Sequence, residues 1–174
     1  ERNFNFPLPE NRPFDVVGLG LNAVDHIIVV PKYPEFNTKI RLSNHSQQPG
    51  GQVASALTAL ARLGCKTRYI GKVGSDFSGD LQLSRLKAEG VEHSFVKQIA
   101  NATNQIAFII IDEQNGERTI IWDRDEKLAF SAEEVEEEAI NSGRILHIDG
   151  HDVAADILAA QMAHRSGMAV VIDV

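Results

Sequence analysis

The stretch ILHIDGHDVAADILAAQMAHRSGMAVVIDV, Ile145–Val174, decides the fold class. Ile145–Asp149 is a short apolar run, Ala154–Ser166 has the periodicity of a helix, and Met168–Val174 is apolar and β-branched again. Strand, helix and strand in that order make a βαβ unit. Strands joined this way pair in parallel through a right-handed crossover.

The alternation continues toward the N-terminus. Val16–Leu21 reads as a buried strand and Val24–Val30 as a second β-branched run. Gln52–Leu63 places Val53, Ala56, Leu57, Leu60 and Ala61 on one helical face and stops at Gly64. Arg68–Val73 is a strand. Asp80 reads as the N-cap of a helix ending before Gly90. Ser131 and Glu134 form a capping box that predicts an acidic helix running to Gly143. Its charges, Glu133–Glu138, fit a solvated face better than a cation site.

Two segments break this rhythm. Lys39–Ser46 alternates polar and apolar residues, and Pro49-Gly50-Gly51 then interrupts the chain. Gln105–Ile111 and Arg118–Asp123 flank Asn115-Gly116, a hairpin signal. Core strands here are apolar on both faces, so the alternating segments are expected outside the main sheet. The architecture expected is an irregular arm at 1–13 and a doubly wound, mostly parallel α/β core over 14–174. A small sheet projects from it, with strands at about 39–46 and 105–123.

Composition bounds the function. The chain has 174 residues, 43% hydrophobic and 24% charged, which suits a packed globular core. Its formal net charge of −7 argues against nucleic acid as a partner. No apolar run reaches membrane-spanning length. Cys65 is the single cysteine, so a reducing cytoplasm is expected. The chain opens on Glu1 and ends on an apolar strand, which suggests a fragment trimmed at both ends. Gly18-Leu-Gly20-Leu-Asn-Ala23 fits the dinucleotide fingerprint G-x-G-x-x-G/A, but a β-branched run closed by Pro31 follows it where a helix is required. A nicotinamide-dependent oxidoreductase is set aside on that ground.

Several segments in a fixed order resemble the ribokinase-like (PfkB) carbohydrate kinases. Gly50-Gly51-Gln52-Val53-Ala54-Ser55-Ala56, running on to Leu63-Gly64, is similar to that family's first signature. The strand through Gly18 and Gly20, with Asn22 and Asp25, resembles its opening strand and sugar-binding acid. Val73-Gly74-Ser-Asp76-Phe-Ser-Gly79 resembles its G-x-D-x-x-G turn. The resemblance covers about 14–174, the N-terminal portion of such an enzyme. Ser55 stands where the signature usually has Asn, which loses the amide's reach.

The resemblance implies ATP-dependent phosphorylation of a sugar or nucleoside hydroxyl, with Mg²⁺ as the counterion of ATP. It also implies that the projecting sheet is a lid. The family's late Gly-Ala-Gly-Asp loop, with its catalytic base and anion hole, is not in this sequence. The chain alone is therefore expected to lack catalytic residues, to bind no metal and to be inactive. A non-catalytic sugar-binding module is the alternative.

A sugar is a ring of hydroxyls, so carboxylates and amides in a cleft are the groups that would hold it. Asp25, just past a buried strand with Asn22 before it, is the leading candidate; the alternative is that it caps a turn. Gly50 and Gly51 would let backbone approach the ligand. Gln52 reads either as a hydroxyl ligand or as a solvated first-turn residue. On the projecting strands Gln105, Phe108, Arg118 and Trp122 are candidates. Trp122 offers either a platform for a sugar ring or a contact in a lid–lid homodimer. Asp149 ends a parallel strand, where side chains face the cleft of open α/β sheets. It reads as a sugar-side residue or as a turn former, with Asp152 capping the next helix. His147, His151 and Asp152 are a poor metal site by spacing.

Overall fold

The computed structural model describes residues 7–173. Of the expected arm, residues 1–6 lie outside the described part, and so does Val174. Residues 7–13 carry no regular structure.

The elements in chain order are β1 (Phe14–Leu19), β2 (Ala23–Val30), β3 (Asn44–Gly50), α1 (Gln52–Arg62), β4 (Thr67–Gly74), α2 (Phe77–Ala88), β5 (Val96–Ile99), β6 (Ile106–Asp112), β7 (Arg118–Asp123), α3 (Glu137–Ile140), β8 (Gly143–Ile148), α4 (Val153–Arg165) and β9 (Ala169–Ile172).

The larger sheet has the order β5-β4-β1-β8-β9, and every neighbouring pair is parallel. Successive residues of β1 supply opposite faces, as the period of two requires. Val16 packs with Val53, Leu57 and Leu86 from α1 and α2. Val17 and Leu19 pack with Ile140, Ala155 and Ala159 from α3 and α4. The sheet is thus doubly wound, with a core on each face. No described helix is long and apolar enough to cross a membrane.

The smaller sheet has the order β3-β2-β6-β7. β2 and β6 run parallel, and the two outer pairs run antiparallel. It holds four strands, one more than the alternation criterion selects. β2 is apolar like a core strand because it lies inside this small sheet, flanked on both sides. The hairpin at Asn115-Gly116 forms, with Gly116 at φ 75° and its N–H donated to the Asp112 carbonyl.

Three local expectations are corrected. The strand expected at 39–46 lies instead at Asn44–Gly50, and residues 39–43 are irregular. Ile40 and Leu42 alternate, but the register gives β3 its first partner at Val29, two residues before Pro31. Pro49 sits inside the strand, which an edge position tolerates.

Helix α2 starts at Phe77, capped by the Asp76 carboxylate, which accepts from the Gly79 N–H at 3.0 Å. Asp80 is therefore a first-turn residue and not the cap.

The acidic helix does not form as one piece. The Ser131–Glu134 capping box is present over a single 3₁₀ turn, then Val135 and Glu136 turn extended before α3. Val135 is buried in the core, and reaching it takes the chain out of helical geometry. Like charges three and four residues apart would oppose a continuous helix as well.

Candidate functional site

The two sheets meet where β1 passes through Gly20–Asn22 into β2, and where β3 returns through Gly51 into α1. A cleft of about 390 Å³ opens at this junction. Register places its wall in one row across the small sheet: Asp25 pairs with Ala107, and Ala107 pairs with Trp122. Residues at these positions share a face. Ile109 and Ile120 extend the row outward, while Gly51 and Gln52 close the α1 side and Gln105 and Leu21 the floor. His151, from the loop after β8, meets the Trp122 ring edge-on with centroids 6.1 Å apart.

Among the described residues Asp25 is the one carboxylate lining this cleft. Burial raises its carboxyl above the ordinary aspartate value, and the neighbouring His26 charge partly opposes the shift. Among the described residues no hydrogen bond holds its oxygens. The side chain is half-buried and aimed at open space beside an apolar row. A ligand with adjacent hydroxyls would find there an acceptor, an amide at Gln52 and a flat aromatic face.

Gly50 and Gly51 fit tightly around this acid. A Cβ on Gly50 would strike the Asp25 carboxylate, and a Cβ on Gly51 would strike the Asn22 backbone. Gly51 also has φ 92°, a left-handed value that side chains disfavour.

Asn22 and Asp149 build the frame beneath the cleft. Asn22 is buried; its Nδ2 donates to the Tyr69 hydroxyl at 2.9 Å and to the Lys72 carbonyl at 2.6 Å. The Tyr69 hydroxyl in turn donates to the Gly20 carbonyl at 2.7 Å. Burial pushes the Tyr69 phenol above its usual range, so it stays a donor. Asp149 is buried as well. Its Oδ2 accepts from the Leu21 N–H at 2.7 Å and its Oδ1 from the His151 N–H at 3.1 Å. Both carboxylate oxygens are thus spent on backbone.

Three candidates lie elsewhere. Phe108 is on the opposite face of the small sheet, stacked on His26 with centroids 4.9 Å apart, because it falls one residue off the Asp25–Ala107–Trp122 row. Ser55 is exposed on α1 and lines a separate groove with Arg62 and Arg85. Arg118 borders another groove, with Tyr33 and Asp112. Ala107, Ile109 and Ile120 join the cleft without having been singled out, and His151, weighed only as a metal ligand, joins it too. The argument that points Asp149 at the cleft, its place at the carboxyl end of β8, applies equally to His151. Asp152 bounds α4 as its N-cap but makes no capping hydrogen bond; its carboxylate pairs with Arg124 at 2.8 Å.

The cations nearest the cleft are already engaged. Arg124 forks onto Asp152 and donates to the Leu128 carbonyl, and Lys72 donates to the Ala129 carbonyl and pairs with Glu134. Neither of these two cations is free to meet a triphosphate. Among the described residues, no three or more His, Cys, Asp or Glu side chains are grouped to hold a metal ion. The residues present do not fit ATP·Mg²⁺.

The fold is that of ribokinase-like α/β proteins. Residues 14–173 match the family model described as pfkB family carbohydrate kinase, and the chain belongs to that family. A nucleoside kinase from Methanothermobacter thermautotrophicus is 24% identical over 159 residues, covering 91% of this chain and 51% of that protein. The structure of a putative ribokinase from Agrobacterium tumefaciens superposes with a TM-score of 0.83 at 24% identity, covering 92% of this chain and 52% of that one. A putative ribokinase II from E. coli, in complex with ATP and Mg²⁺, gives a TM-score of 0.75 at 24% identity, over 91% and 52%. The chain spans about half the length of the curated relatives it matches.

Proposed function

We propose that the intact protein transfers a phosphoryl group from ATP to a hydroxyl of a sugar or nucleoside, and that the cleft between the sheets receives this acceptor. The observation that carries the proposal is the Asp25 carboxylate, half-buried, without a hydrogen bond, and in one row with Ala107 and Trp122. An ionised carboxylate in such a place accepts from two neighbouring hydroxyls, and Trp122 offers its ring to the ligand's apolar face. Gln52 and Gln105 supply the remaining polar contacts, and Ile109 and Ile120 suit an apolar substituent on the ring.

ATP and Mg²⁺ belong to this proposal through the family, and we place their site outside the described residues. By the same reasoning these residues alone do not transfer phosphoryl, since none of them combines an anion-binding loop with a base. The small sheet then acts as a lid that excludes water from the acceptor. Its outer face, with Phe108 and Ile121 exposed, suits pairing with a second copy. The single free thiol suits a reducing cytoplasm.

Titration calorimetry of the full-length protein against monosaccharides and nucleosides, followed by phosphorylation assays with ATP and Mg²⁺, tests the proposal. Saturable binding of one class, with phosphorylated product, is expected. A protein that binds ATP and phosphorylates no sugar or nucleoside would overturn it.

A further inference from the structure

Beneath the cleft lies a second, much smaller cavity of about 10 Å³. Its lining includes Asn22, Gln105 and Asp156, together with Lys72, Arg124 and Asp152. All three of the first group are at least nine-tenths buried: Asn22 is 5% exposed, Gln105 9% and Asp156 4%. Asn22 Oδ1, Gln105 Oε1 and both carboxylate oxygens of Asp156 are buried without a hydrogen-bond partner. The Asn22 orientation is fixed, because its Nδ2 must face the Lys72 carbonyl. Four unpaired oxygens around one cavity are costly, since each buried polar group left unmatched costs about 1–3 kcal/mol.

We propose that one buried water molecule occupies this cavity, joining Asp156 to Asn22 Oδ1 and Gln105 Oε1, and that Asp156 thereby positions the Gln105 side chain. The cavity has about the room one water needs, and the site offers the two to four polar partners a buried water takes. Water donates to the two amide oxygens and accepts from one oxygen of a protonated Asp156, which matches three of the four.

The charges around Asp156 agree with a neutral carboxyl. Arg124, on the loop after β7, is spent on Asp152, and Lys72, on β4, on Glu134. Asp149, at the end of β8, and Asp152, at the start of α4, add like charge. Burial, first, and then these two carboxylates push the Asp156 carboxyl up to about 7. A protonated Asp156 is a donor, which three acceptor-only oxygens otherwise lack.

Gln105 lines both the cavity and the cleft, so its wall position depends on the water below. The consequence for ligand binding rests on the acceptor-site proposal, but the site itself rests on these residues alone. Its test therefore uses no ligand. A crystal structure of the full-length protein at about 1.2 Å or better should show one solvent peak about 2.6–3.2 Å from all three side chains. In Asp156→Leu the peak should vanish and Gln105 should spread over several rotamers. In Asp156→Asn, neutral and of the same shape, both should be retained.

A dry cavity, a direct Asp156–amide hydrogen bond, or the shorter contacts of a cation, about 2.3–2.6 Å, would overturn the water. An unmoved Gln105 in Asp156→Leu would overturn the positioning. Should that variant not fold, wild-type structures at pH 5 and pH 9 carry the same test. Water and Gln105 ordered at pH 5 and loosened at pH 9 support the proposal, and no change between them overturns it.

Discussion

Gly50 packs so closely on Asp25 that a methyl group added to it would lie 2.1 Å from Asp25 Oδ2. The obstacle is the end of a flexible side chain, and the backbone of Gly50 is not left-handed. Gly50→Ala should therefore fold, with the Asp25 carboxylate turned out of place. Acceptor affinity should drop about 10- to 100-fold, corresponding to one charge-assisted contact of about 1.5–3 kcal/mol. Calorimetric Kd and thermal melting of the full-length variant check both halves.

The adjacent glycine should behave differently. A Cβ on Gly51 would meet the Asn22 Cα at 2.4 Å, at a φ of 92°. Backbone on both sides must shift to make room. Gly51→Ala should cost at least about 1–3 kcal/mol of folding stability, measured by urea denaturation. A Gly51→Ala variant as stable as Gly50→Ala would refute this difference.

Asp25→Asn separates the two substrates. The amide keeps the shape and loses the charge, so acceptor binding should weaken by about 1.5–3 kcal/mol. ATP binding should change little, because no ATP contact is assigned to Asp25. Separate titrations with acceptor and with ATP decide it.

Asp149 is expected to be a structural residue. Asp149→Ala leaves the Leu21 and His151 N–H groups without acceptors. The Leu21 N–H is buried, and a buried donor left unpaired costs about 1–3 kcal/mol, whereas the exposed His151 turns its N–H to water. Asp149→Asn keeps one acceptor oxygen and should lose roughly half as much. Denaturation midpoints of the two variants give the comparison.

Asp156 should make stability fall as pH rises. Its folded value, about 7, is above the ordinary 3.8, so the folded protein holds a proton that the unfolded chain has released. That contribution is whole below about pH 4, is lost as pH climbs to about 7, and is flat beyond. One proton limits the slope to about 1.4 kcal/mol per pH unit. The lowered carboxyls of Glu92 and Glu134 act in the opposite sense at the acid end. The difference between wild type and Asp156→Asn over pH 4–8 isolates the Asp156 term, and parallel curves would exclude it.

How much of this was legible in the sequence differs by level. The βαβ unit at 145–174 and the helix after Gly51 are local patterns, readable from periodicity and punctuation. The membership of β2 in the small sheet is not local: its apolar run looks the same whether neighbours come from one sheet or another. The fate of the acidic segment turned on one residue, Val135, whose burial outweighs the cap before it. At the site, Asp25, Gly51, Gln52, Gln105 and Trp122 come together, having been chosen by motif and residue chemistry. Phe108 failed by a single step of parity, which alternation within one strand cannot fix without knowing its partner's register. Asp156 gave no signal at all, because a first-turn aspartate ordinarily looks solvated.

Four stretches of chain join the small sheet to the large one: Gly20–Asn22, Gly51, the segment ahead of Gln105, and Arg124, which is also clasped to Asp152. They act as a common axle. Any tilt of the small sheet turns about it, and displacement grows with distance along the strands. Val30, five residues beyond Asp25, lies about 16 Å farther out at the usual rise. Asp25 sits close to the axle, so a tilt of the small sheet would move the acid far less than the far rim.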